Sequence, residues 1–131
     1  MKRKLLLLTL SVIFSIFFTA YNAFAAVQSV SDINNKIIAI EKVQNMDFTT
    51  MYNKTDLIGQ NRDNFKMAAD NYKRFAQMTA GKLRTIQNEI GNASSGGTST
   101  SVSNLYYDAD NVIYEFNNKT NAFLAELELF M

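Results

Sequence analysis

Phe65, Ala68, Tyr72, Phe75, Thr79, Leu83, Ile86 and Ile90 recur every three or four residues. That spacing lays one apolar stripe along about seven turns of helix. A strand cannot use it, because a strand needs side chains that alternate with period two. Lys66, Asp70 and Arg74 stand at i,i+4 on another face, where solvent takes the charge. The chain contains no proline, so only glycine, polar clusters and capping residues can end a helix. The pattern predicts a helix over 61–91. Gly59 is the turn residue before it, and Asn61 or Asp63 the N-cap. Gly91 suits the C-terminal cap, where a residue without Cβ turns left-handed at no steric cost.

Two further segments carry the same period. Val30, Ile33, Ile37 and Ile40 trace a face that Val43 or Met46 can continue. Ser29 or Ser31 is placed to cap that helix, with Asp32 near its positive end and Lys36 one turn on. The expected span is 31–58, with a break near 47 where Asp47, Phe48, Thr49 and Thr50 blur the stripe. Leu105, Ala109, Val112, Phe116, Phe123, Leu127 and Phe130 mark a third helix over 103–130, capped by Ser103 or Asn104, with Thr120 a weak point in its stripe. Residues 125–130 also alternate with period two, but their continuity with the upstream pattern favours helix. Between the second and third helices, residues 92–103 are a run of Ser, Thr, Gly and Asn that reads as a flexible loop. The expected fold is all-α: an antiparallel bundle of three long amphipathic helices after a cleaved signal peptide.

The signal peptide is read from residues 1–25. Lys2, Arg3 and Lys4 form a positive start, Leu5 to Phe18 an apolar run, and Ala23-Phe24-Ala25 a small-x-small cleavage site. Ala23 and Ala25 are the side chains a signal peptidase must accommodate. The mature domain is then 26–131, exported to the periplasm, the cell surface or the medium. Left uncut, Leu5 to Val27 would be the chain's membrane contact. Removing Lys2, Arg3 and Lys4 from thirteen cations leaves ten against twelve anions, so the mature chain is slightly acidic. That balance argues against nucleic acid or anionic lipid as a partner.

Absent residue types exclude much chemistry. With no Cys, an exported domain of this size has no disulfide to hold it and depends on packing or oligomerisation. With neither His nor Cys, serine–histidine and cysteine–histidine nucleophiles are ruled out, and zinc, copper and haem lose their usual ligands. Met46, Met51, Met67 and Met78 read as gap-fillers in a core. Asp108, Asp110, Asn111 and Glu115 are the densest acidic group, but lack the glycine turn and spacing of a calcium loop and read as a solvated face. Gly96-Gly97 has no lysine beside it and makes no phosphate loop. Tyr72 and Phe75, interleaved with helix-2 cations, lie on the apolar stripe rather than on a nucleic-acid face. The expectation is a non-enzyme without cofactor or metal.

Contacts are the remaining function. From Arg62 to Glu89 six cations face three anions, and from Asp108 to Glu128 one cation faces five anions, so helices 2 and 3 attract weakly. Tyr106, Tyr107 and Tyr114 crowd helix 3. Adjacent Tyr106 and Tyr107 diverge by about 100° and cannot both enter one core. Phe123, Leu124, Leu127, Leu129, Phe130 and Met131 wrap most of the way around its end, which is then either buried in the chain's own bundle or docked on a partner or a second copy. The candidate interaction surface is therefore Tyr106, Tyr107, Tyr114, Phe123, Leu124, Leu127 and Phe130, met by a protein partner or a second copy. The functional expectation is a bacterial envelope protein acting through protein–protein contacts: a subunit of a surface appendage or secretion apparatus, an adhesin or an assembly factor. The alternative is a periplasmic chaperone or carrier that holds an apolar ligand between its helices.

Overall fold

The structure is a computed structural model, and it describes residues 27–48, 59–96 and 99–129. Within them the chain forms three helices and no strand: α1 (Val30–Gln44), α2 (Gln60–Gly96) and α3 (Ser99–Leu129). The all-helical class follows from the stripes. Every α2 position on the predicted stripe is buried or packed against the core.

Ser29 caps α1, its Oγ accepting from the backbone N–H of Asp32 at 3.1 Å. The Asp32 carboxylate in turn accepts from the N–H of Gln28 at 3.1 Å. One of the donors that a helix start leaves open is thus taken up by the cap, and the residue before the cap is tied back to the first turn. Ile33, Ile37, Ile40 and Val43 are buried, while Val30, expected on the same stripe, is 40% exposed. α1 stops at Gln44, where the N–H of Asn45 donates to the Glu41 carbonyl at 3.0 Å and the N–H of Met46 to the Val43 carbonyl at 3.1 Å. Leaving the helix there turns Phe48 back into the core.

α2 and α3 pair antiparallel. Tyr72 meets Thr120, whereas Phe75, further along α2, meets Phe116, earlier on α3. α1 runs alongside them in the sense of α3: Val27 reaches Asp110, and Phe48 reaches Phe123. Arg84 of α2 pairs with Glu41 of α1. One hydrophobic core joins the three, with Tyr72, Phe65, Phe116, Ile33 and Leu83 among its largest fully buried side chains.

The helix ends differ from those the sequence suggests. Gly59 does turn the chain, at φ 62°, but it also opens α2 directly, its carbonyl accepting from Asp63 N–H; neither Asn61 nor Asp63 is the cap. The loop assigned to 92–103 is corrected: α2 continues to Gly96, and α3 begins at Ser99, ahead of Ser103 and Asn104. Gly91 is an interior helical residue rather than a cap. Within the extended end of α2, the Ser95 Oγ donates to the Gly91 carbonyl at 2.9 Å, so this hydroxyl is satisfied inside the helix. On the α3 side, Val102 packs against the core and anchors the early turns.

Candidate interaction surface

At 3.6 residues per turn, Ser103, Tyr107, Asn111, Tyr114, Asn118, Asn121, Ala125 and Leu129 lie within about 40° either side of one line down α3. All of them are exposed. The line is opposite the buried residues Ala109, Phe116, Thr120, Phe123 and Leu127. It carries no charge, whereas a solvent-facing helix surface ordinarily carries Lys, Glu, Asp or Arg. Asp108, Glu115 and Glu126 flank it on one side and Asp110 on the other. Tyr107 is 65% exposed and Tyr114 64%, and their spacing of seven residues stacks them about 10.5 Å apart along the axis. Two rigid amphipathic rings separated by amide side chains are well suited to contact: the rings bury area with little entropy loss, and the amides both donate and accept.

The other expected surface residues divide. Tyr106 and Leu124 are half-buried against the core, on the flank of α3. Phe123 and Leu127 are corrected from surface to core: they are 3% and 0% exposed. Phe123 stacks on Tyr72, ring centroids 4.3 Å apart and planes 12° from parallel, and takes the edge of Phe48 at 5.8 Å and 81°. The apolar end of α3 is wide because it serves α2 and the segment after α1 together. Phe130, Ala23 and Ala25 lie outside the described residues, as does Met51.

The methionines are a second correction. Met46 packs against the core, but Met67 and Met78 are 57% and 59% exposed. Eleven residues apart, they share a face of α2 about three turns long. The core space they were expected to fill is taken by Ala68, Ala69, Ala76 and Ala80, small residues that let the helices close on the aromatic rings. Around the helix axis Met67 and Met78 lie more than about 90° from the centre of the stripe that runs from Phe65 to Ile90, which puts them outside the core.

Beneath the surface, Tyr72 is 1% exposed and bonded to Thr120 Oγ1 at 2.7 Å. Thr120 donates its own proton to the Phe116 carbonyl at 2.9 Å, so the phenol is the donor to Thr120. Burial pushes the Tyr72 phenol well above its usual range, with the Thr120 bond opposing it to a lesser degree. Tyr72 is therefore a neutral packing group. Lys119 lies 5.6 Å from the centre of the Phe75 ring and links α3 to α2 by its charge.

Among the described residues no group of three or more acidic side chains is placed to hold a metal ion, and no helix is long and apolar enough to cross a membrane. No family model, no curated protein and no solved structure matches the chain.

Proposed function

We propose that the chain is exported, loses residues 1–25 and acts in a bacterial envelope, in the periplasm or at the surface, through protein–protein contacts and without catalysis. A subunit of a surface appendage or secretion apparatus, an adhesin and an assembly factor are the roles of this kind. The supporting observation is the uncharged outward face of α3 carrying Tyr107 and Tyr114. Its flanks are acidic, which favours a partner with basic groups around an apolar or amide-rich centre. Export is supported by the positive start, apolar run and small-x-small site of residues 1–25.

The test replaces Tyr107 and Tyr114 together by alanine. Both rings are exposed, so the helical circular dichroism and melting point are expected to stay close to wild type. The native size of the complex recovered from envelope fractions should fall to that of the free chain. A complex of unchanged size would exclude this face as the contact surface.

A further inference from the structure

Asp110 belongs to the acidic group that the sequence presents as a solvated face, yet it is half-buried and holds a segment far away in the chain. Its Oδ1 accepts the backbone N–H of Val27 at 2.8 Å, across 83 positions. Val27 is itself 5% exposed. Gln28 is bonded to Asp32 and Ser29 caps α1, so three consecutive residues are pinned just past the predicted cleavage point. Chain ends usually fray unless something ties them down.

Charged side chains surround this anchor. Asp32 and Asp110 both act on the half-buried ammonium of Lys36; burial lowers the Lys36 pKa, and the two carboxylates work against that. The two carboxylates and the ammonium thus act on one another in a partly desolvated site.

We propose that Asp110 is the binding site for the mature chain's own N-terminal ammonium, so that removal of the leader completes the charge cluster Asp32–Lys36–Asp110. This rests on the proposed cut after Ala25. Hydrolysis of the Ala25–Ala26 amide leaves a carboxylate on Ala25 and a free amine on Ala26, which takes up a proton near neutral pH. Only the Ala26 Cα and carbonyl carbon separate that nitrogen from the nitrogen of Val27, which already touches Asp110. In the precursor the same Ala26 nitrogen is an uncharged amide. Processing thus adds a positive charge next to Asp110, at the point where α1 and α3 are tied together, and the finished bundle is more stable than one still carrying its leader.

The experiment expresses the full precursor in a bacterial host and weighs the exported product. A mass beginning at Ala26 supports the cut; a mass retaining residues 1–25 overturns it and the proposal with it. The processed protein and its Asp110→Asn variant are then each compared with the α-amine free and acetylated. Peptide mass mapping confirms that the acetyl group is on the α-amine and not on Lys36, whose pKa burial lowers. The introduced amide oxygen still accepts the Val27 N–H, so the variant removes charge and keeps the anchor. Acetylation is expected to lower the wild-type melting temperature by about 4 °C. It should move the variant by less than about 1 °C, and the wild-type effect should shrink in about 1 M salt. Equal shifts in both proteins, or no shift in the wild type, would overturn the proposal.

Discussion

Tyr72 shows how a single buried polar atom is made tolerable. Its ring lies between Phe116 and Phe123, 5.8 and 4.3 Å away and nearly parallel to both. Its hydroxyl has Thr120 as partner, and Thr120 has the Phe116 carbonyl. Removing the phenol leaves Thr120 still bonded, so Tyr72→Phe should cost about 1 kcal/mol in urea unfolding. Removing the acceptor strands a buried donor, so Thr120→Val should cost more, about 1–3 kcal/mol. The sign of the pH effect follows from the raised phenol pKa. The folded state keeps the proton to higher pH than the unfolded chain, whose tyrosines ionise at about pH 10. The stabilisation is complete below that value and is lost as pH rises through and above it. Between about pH 8 and pH 11, wild type should lose more stability than Tyr72→Phe; equal losses would contradict the assignment.

For the helices, glycine substitutions separate two readings of the same residues. Gly81 and Gly91 are inside α2, and a Cβ at either meets nothing within 4 Å. Gly81→Ala and Gly91→Ala should each stabilise by about 0.5–1 kcal/mol. Were Gly91 a left-handed cap, alanine there would destabilise. Gly59, at φ 62°, is that kind of position, and Gly59→Ala should cost about 1 kcal/mol. What the sequence made legible at this scale was periodic. The stripe from Phe65 to Ile90 and the stripe from Leu105 to Leu127 face inward because burial repeats with the helical turn. The Ser/Thr/Gly run resembles a linker in its polarity, yet α2 continues through it to Gly96 and Ser95 bonds back to the Gly91 carbonyl, which composition does not reveal. Thr120 looked like a gap in the α3 stripe; only its distant partner Tyr72 explains its burial. Phe123 and Leu127 belong both to the apolar stripe and to the candidate surface, because a stripe wider than usual does not say which arc meets two neighbours and which meets water.

Across the whole molecule, the long α2–α3 hairpin is closed by α1 and by Phe48, and this leaves the outer face of α3 uncovered by the described elements. Stability and contact are thereby assigned to opposite sides of one helix. The aromatic core is on one side, and Tyr107, Asn111, Tyr114 and Asn118 are on the other. The exposed end of α3 follows the same division: Leu127 is buried and Leu129 is 83% exposed. Leu129→Ser should therefore leave the melting temperature within about 2 °C of wild type, whereas Leu127→Ala should lower stability by about 2–5 kcal/mol. The central claim, that the outer face of α3 meets another protein, is tested most directly in living cells. A photo-reactive amino acid is placed at position 107, at 114 or, as control, at the exposed Asn88 of α2. Light should join positions 107 and 114 to the same discrete protein, and position 88 to none. Adducts absent from all three sites, or equal at all three, would contradict it.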